Sequence, residues 1–512
     1  MDSQVRSALD LLPDYLGQHV LLSAAALALG VTLSLPLAVL AARHPRVRWP
    51  VLAVTSLIQT IPGLALLALF YPLLLALGSV TKLDIPALGF LPSVLALTLY
   101  SMLPILRNGV AGLTGVDASL LEAADGVGMT KSQKLWRVEA PLAAPIVMAG
   151  IRTAAVLTIG AATLSTPVGQ TSLGNYIFSG LQTENWVFVL VGCAAAAALA
   201  LIVDQLLGLI QVGAAKRDRR RIFGGLAVLL VGVGFAATPL IGVERPTYVI
   251  GAKNFSEQYI LASLIGERLQ RDGAVVQHKD GLGSAVAFRA LTSGDVDVYV
   301  DYSGTLWTNV MNRQDTPSRQ DMLTEITRWM YARYGVVVLG SLGFENAYAL
   351  TMKSDTAKAM GITSIADLAS HARDLRLAAD LEFLSRPEWK AIKGAYGLSF
   401  KTEKSYNPTF MYRAIEGGEA DVISAFSSDG RIAADNLIVL TDPKQAIPSY
   451  DAVVLITPKR GKDMRLRAAL QPLVGAIPVD VMRRANLSVD RDQDKKSPAD
   501  AARQLAQDIR LP

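Results

Sequence analysis

The chain is 512 residues long and 51% hydrophobic, with a mean hydropathy of +0.34 and 49 Lys and Arg against 44 Asp and Glu, a formal charge of +5. So small a surplus, with its basic residues gathered in short runs, argues against a nucleic-acid partner. One cysteine, Cys193, excludes an internal disulfide, and four scattered histidines, His19, His44, His278 and His371, lack the spacing of a metal site.

In chain order, six apolar stretches come first, near 18–42, 51–79, 85–106, 142–166, 186–213 and 222–243. Each is long enough to cross a bilayer, which takes roughly 20 residues at 1.5 Å rise. Asp204 is the one acid inside the fifth, and Pro62 with Gly63 invites a break in the second. Arg43, Arg46 and Arg48 follow the first span; Lys216, Arg217, Arg219, Arg220 and Arg221 follow the fifth. Basic residues at span ends mark the cytoplasmic side. The amino terminus is then outside, loop 107–141 inside, and loop 167–185, which contains no Lys or Arg, outside. Residues 1–17 lack the basic start and cleavage site of a signal peptide. We therefore expect a membrane domain over 1–244 and an exported soluble domain over 245–512, joined by a short tether near VERPTY.

The inner loop 118–141 is far less apolar than its neighbours. Glu122, Ala123, Ala124, Gly128 and Pro141 keep the spacing of the EAA pattern, with Val138 and Ala140 at its isoleucine and leucine positions. Two alanines keep a short helix thin enough for another protein's groove, and Gly128 permits a turn after it. On these residues the membrane half resembles the permeases of ATP-binding-cassette importers. The resemblance implies a separate cytoplasmic ATPase that brings ATP and Mg, because this chain has no G-x-x-x-x-G-K-[ST] phosphate loop. No nucleophile, metal cluster or acid/base pair is legible, so we expect a transport subunit and not an enzyme.

From 248 onward, short β-rich runs alternate with amphipathic helical runs, the mark of an α/β domain. YVIGAKNFSEQYILA reads as strand, turn and helix, with Ser256 as N-cap and Lys253, Asn254 and Gln258 near the turn, where such domains meet ligands. DVDVYVDYSGTLW places Tyr302 and Thr305 at the next such junction. Tyr259, Tyr331 and Tyr334 fall at core-like spacing and read as packing residues. Trp307 and Trp389 flank the site segments.

GAKNFSEQYIL, DVYVDYSGT, FENAYAL, FLSRPEW, AFSSDGRI and IPSYDAVVL resemble the substrate-binding proteins of osmoprotectant importers for glycine betaine, choline and carnitine. The resemblance covers nearly all of 247–512. It implies a two-lobed, periplasmic-binding-protein-like α/β fold, with lobe one over about 247–343 and 450–512 and lobe two over about 344–449. It further implies an aromatic cage of Tyr302, Tyr348, Phe426 and Tyr450, with Lys253, Thr305 and Arg386 on the polar side and Gln258 as a further contact. The family usually has Tyr where this chain has Phe426. A trimethylammonium group cannot donate an ordinary hydrogen bond, so ring faces hold it through their quadrupoles, and Arg386 can grip a carboxylate with two parallel bonds.

The sequence thus reads as the fused permease and substrate-binding subunit of an ATP-driven importer for quaternary-ammonium solutes, in a bacterial inner membrane with the binding domain outside. Its expected partners are the ATPase, a second copy of itself and a small zwitterionic or cationic ligand. The alternatives are import of ergothioneine, itself a trimethylated betaine, or of another small zwitterion, anion or amino acid by the same architecture, and a ligand sensor.

Overall fold

The computed structural model describes residues 3–83, 85–183, 185–238, 247–491 and 493–511. Residues 243–246 of the expected tether, and with them the expected domain boundary, lie outside the described residues. Two compact units divide the chain: Ala8–Phe178 with Phe188–Glu244, and Arg245–Pro512 with the short segments Met1–Ser7 and Ser179–Val187.

The described residues of the first unit form helices, some of them only in part within it: α1 (Ser3–Arg43), α2 (Pro45–Thr60), α3 (Gly63–Thr81), α4 (Phe90–Thr114), α5 (Ala118–Gly126), α6 (Lys131–Lys134), α7 (Ala140–Ala162), α8 (Gly174–Gln182), α9 (Trp186–Lys216) and α10 (Arg219–Ala237). Among the described residues, six helical stretches are long and apolar enough to cross a membrane: Gln4–Arg43, Gly63–Thr81, Phe90–Thr114, Lys131–Val168, Trp186–Lys216 and Arg219–Ala237. The second expected span is broken. Pro62 drives Ile61 into an extended conformation, ψ 128°, which ends α2, and α3 restarts at Gly63. Tyr100 OH donates to the Ile61 carbonyl, which the break leaves without a helical donor.

Small residues set the closest helix contacts, as they do where lipid supplies no hydrophobic drive. A Cβ on Gly109 would lie 2.7 Å from Ala38 Cβ, and one on Gly150 2.6 Å from Asn108 Cβ. The first contact runs α1 alongside α4, and the second packs α7 antiparallel to α4. Arg43, at the end of α1, pairs with the buried Glu139 at 2.6 Å. This bond puts the start of α7 on the same side as the basic run at 43–48, the side the charge pattern assigns to the cytoplasm.

The second unit holds two five-stranded sheets. One has the order β2-β1-β3-β10-β4, from β1 (Thr247–Lys253), β2 (Val275–Leu282), β3 (Val298–Tyr302), β4 (Val337–Glu345) and β10 (Asp451–Ile456). The other has the order β7-β6-β8-β5-β9, from β5 (Tyr348–Lys353), β6 (Arg376–Asp380), β7 (Thr402–Tyr406), β8 (Val422–Phe426) and β9 (Leu437–Val439). Four strands of each sheet run in one direction, and the fifth, β10 in the first and β5 in the second, runs against them. The chain crosses to the second sheet over 346–347 and returns over 440–450.

Buried alternation on β1 (Tyr248, Ile250, Ala252) meets the apolar face of α11 (Ser256–Arg271) in one core. Two local expectations fail. Phe255, not Ser256, precedes the first turn of α11, because Ser256 Oγ turns to donate to Asp490 at 2.5 Å. Tyr331 is 67% exposed and so is no packing residue, whereas Tyr259 is buried. Trp307 and Trp389 are core.

Candidate functional site

Strand ends build the site. Lys253 closes β1, Tyr302 closes β3, Asp380 closes β6, Tyr406 closes β7 and Phe426 closes β8. Tyr348 opens β5, which runs the opposite way, and Tyr450 precedes β10, so their side chains reach the same edge. Tyr348 and Phe426 are direct cross-strand partners. This edge is where open α/β sheets receive ligands, since the loops beyond it diverge. A cavity of about 610 Å³ lies there.

Eight of the nine expected residues line it: Lys253, Asn254, Tyr302, Thr305, Tyr348, Arg386, Phe426 and Tyr450. Gln258 does not. It stands behind the wall, where its Nε2 donates to Tyr302 OH at 2.9 Å and its Oε1 accepts from Lys253 N at 3.3 Å.

Sequence reasoning missed two further lining aromatics: Tyr406 at the end of β7, and Phe255, which joins the four expected rings as a fifth in mutual contact. Phe255 stacks on Phe426 with centroids 5.5 Å apart and planes 9° from parallel, and on Tyr302 at 6.1 Å. Tyr348 lies 5.1 Å from Phe426 and meets Tyr450 edge-on at 5.9 Å. Phe426 therefore keeps its ring contacts without a hydroxyl. The rings are locked from behind: Tyr302 OH donates to Glu257 at 2.6 Å and Tyr450 OH to Glu388. Burial first, and these carboxylates second, hold both phenols well above their ordinary pKa, so they stay neutral.

Both cations already have protein partners. Lys253 pairs with Asp301, both buried, and lies 5.2 Å from the Tyr302 ring centroid. Arg386 donates to Glu382 at 2.5 Å and Glu388 at 3.4 Å, and lies 5.2 Å from the Tyr348 centroid. It also reaches Thr305 and Ser284, each at 3.3 Å, and so bonds from the second-sheet side to the first. A ligand carboxylate would thus have to share Arg386 with Glu382. Asp380 also lines the cavity, and its Oδ2 has no hydrogen-bond donor among the described residues. Burial pushes it up to about 6 against the bond from Phe383 N. Burial opposes ionisation of Glu382 too, but Arg386 and Lys253 outweigh it and hold that carboxyl below its ordinary value.

Glu257, in the first turn of α11, is the hub. Its buried carboxylate accepts from Tyr302 OH and Asn346 Nδ2 (2.6 and 3.0 Å) on one oxygen, and from Ser428 Oγ and Asn486 Nδ2 (2.5 and 2.9 Å) on the other. Burial raises its pKa, and the four donors work against that rise. Asn346 sits in the crossover and Ser428 follows β8, so one side chain ties the first-sheet side to the second.

In the membrane unit, Glu122, Ala123 and Ala124 lie on α5, capped by Asp117, with Glu122 and Ala123 exposed and Ala124 buried. Gly128 adopts φ +76°, left-handed backbone that favours glycine. Lys134 then pairs with Asp125 at 2.7 Å across the turn, and Pro141 stands in the first turn of α7. Leu120, Val127 and Trp136 leave this loop's apolar side open, Val127 and Trp136 both over 70% exposed.

Residues 246–508 match the family of the substrate binding domain of ABC-type glycine betaine transport systems, and residues 34–217 match the binding-protein-dependent transport system inner membrane component. The chain is 28% identical over 422 residues to an ergothioneine transport permease/ergothioneine binding protein, EgtU, of Helicobacter pylori (strain G27), covering 79% of this chain and 74% of that protein. It is 39% identical over 194 residues to the choline transport system permease protein OpuBB of Bacillus subtilis (strain 168), covering 38% of this chain and 84% of that protein. A crystal structure of a glycine betaine/carnitine/choline ABC transporter is similar at 28% identity over 51% of this chain and 98% of that one, with a TM-score of 0.45. The chain belongs to the family of ABC-type glycine betaine transport systems, as a multi-pass, non-catalytic subunit that fuses a permease to its extracytoplasmic binding domain and relies on a separate ATPase.

Proposed function

We propose that the chain imports small trimethylammonium compounds bearing a carboxylate or hydroxyl, with glycine betaine, choline and carnitine as the leading cargo. The observation that carries this reading is the wall of five rings, Phe255, Tyr302, Tyr348, Phe426 and Tyr450, on a cavity that also holds Lys253, Arg386 and the acids Asp380 and Glu382. Ring faces and acids suit a cation that cannot donate hydrogen bonds, at about 0.5–2 kcal/mol per ring face. Thr305 and Arg386 suit the other end of the molecule. Ergothioneine is the second reading, favoured by the relative that shares both halves of this chain.

Two copies facing each other across a bacterial inner membrane would enclose the pathway, and the ATPase would seat on α5 and α6 with Glu122, Ala123, Ala124, Gly128 and Pro141 shaping the contact. The lobes follow the two sheets, with ligand closing the second-sheet side onto the first. Calorimetric titration of the purified full chain with glycine betaine, choline, carnitine and ergothioneine tests the cargo. Micromolar binding of one, weakened at least tenfold in both Tyr302→Ala and Tyr348→Ala, is expected. Affinities unchanged in these two folded variants would remove the cage.

A further inference from the structure

Arg152 on α7 and Asp204 on α9 form a two-bond pair, Nε to Oδ1 at 2.9 Å and a terminal nitrogen to Oδ2 at 2.7 Å. Gln211 accepts the remaining arm at 2.8 Å and anchors itself on the Pro145 carbonyl at 3.0 Å. Each charged residue lies twelve positions from the cytoplasmic end of its helix, about 18 Å at 1.5 Å per residue, and so near the middle of a hydrocarbon layer about 30 Å thick. The pair is not sealed inside the helices. The Arg152 and Asp204 side chains are 32% and 23% exposed and open on a recess of about 440 Å³ that Thr153, Val156 and Leu157 complete.

Lipid chains cannot solvate such a face, so it must meet water or polar groups when the protein works. Ionisable residues inside a membrane bundle mark solute pathways more often than packing. We propose that this recess is a second cargo station, on the import path, where the cargo's carboxylate exchanges onto Arg152 and its trimethylammonium group onto Asp204. The inference rests on the trimethylammonium reading of the outer site. An opposite-charge pair suits this task because a zwitterion replaces both partners at once and leaves no uncompensated charge, whereas a lone Arg or Asp would trap its counter-ion. The station also has a place in the cycle: α7 continues directly from the loop that carries the EAA residues, so movement of that loop reaches Arg152 through one helix.

The test uses the full chain with its ATPase in liposomes. Asp204→Asn and Arg152→Gln should leave the affinity of the outer site for glycine betaine, read on the full chain without ATP, within twofold while cutting ATP-driven uptake at least tenfold. Arg152→Gln should slow glycine betaine more than choline, which has no carboxylate. Restoration of wild-type uptake by the exchanged pair Arg152→Asp/Asp204→Arg would show a packing ion pair and overturn the proposal. Independently, Val156→Cys in a Cys193→Ser background should react with a water-soluble trimethylammonium thiosulfonate at least tenfold faster than Val231→Cys on α10, with protection by glycine betaine. Equal rates would overturn the watery recess. If the wild type binds none of glycine betaine, choline, carnitine or ergothioneine, the cargo assignment falls at both sites, while the thiol rates still report on the recess.

Discussion

Glu257 offers the sharpest test of how the outer domain is held together. Glu257→Gln keeps the shape of the side chain but replaces one acceptor oxygen by an amide donor and removes the charge. Of the four groups that now donate to it, Tyr302 and Ser428 can rotate their hydroxyls to accept, but Asn346 and Asn486 present amide hydrogens. At least one of these amides loses its acceptor, and the bonds that survive lose their charge assistance. A bond to a charged group contributes about 1.5–3 kcal/mol and a buried orphan donor costs about 1–3 kcal/mol. Relief of a buried carboxylate whose pKa burial has raised offsets part of this. A net loss of about 2–3 kcal/mol follows from these magnitudes. Two of the four bonds, to Asn346 and Ser428, reach the crossover and the second-sheet side, so about half of the loss should fall on the closed, ligand-bearing arrangement. That corresponds to roughly a five- to fifteen-fold weaker affinity. Differential scanning fluorimetry of the full chain without ligand reads the stability loss, and calorimetric titration with the tightest-binding trimethylammonium compound reads the affinity. A Glu257→Gln protein that melts at the wild-type temperature and binds within twofold of wild type would refute the hub.

Asp380, whose carboxyl burial holds at about 6, makes cation binding pH dependent. Choline favours the ionised form, so its affinity should fall as pH drops from 7 to 5, by at most about tenfold per pH unit; Asp380→Asn should be flat over that range in calorimetric titration. In the ligand-free protein the folded state holds this proton more tightly than the unfolded chain, so stability from this group is present below pH about 4 and lost as pH rises through 6. Asp380→Asn should therefore melt higher than wild type at pH 7.5, with the difference shrinking at pH 5. Phe255→Ala, which removes the ring stacked on both Phe426 and Tyr302, should weaken trimethylammonium binding by about 1–2 kcal/mol, measured by the same titration. Gly128→Val forces a β-branched residue into left-handed backbone at a cost of about 1–2 kcal/mol; uptake in liposomes should fall several-fold with ligand binding intact.

Much of this was legible where the signal is local. The apolar stretches and their basic ends announce the helices, and Pro62 beside Gly63 marks the break between α2 and α3 because a missing N–H and a steric clash act on adjacent residues. Lys253 and Tyr302 could be found because strand, turn and helix succeed one another within a dozen residues. Phe255 reads in the sequence as no more than the apolar residue of a turn, since its stacking partners, Tyr302 and Phe426, are 47 and 171 positions away. Separations of 45 to 229 positions hide Glu257, whose donors come from four separate segments. Ser256 looked like a cap because serine commonly is one, but a tertiary bond to Asp490 claims its hydroxyl. Arg386 pointed to a carboxylate grip, and only the fold shows that Glu382 and Glu388 already occupy it.

The rings, Lys253 and Asp380 stand at the first or last residues of strands or in the turns next to them, and not in the strand interiors. A small change there leaves sheet register untouched, as the missing hydroxyl at Phe426 illustrates, although Tyr302, Tyr348 and Tyr450 also belong to the buried core. Selectivity in this scaffold can drift one side chain at a time without a change of sheet register, so closely similar chains can serve different solutes, and overall identity between two of them is a poor guide to shared cargo.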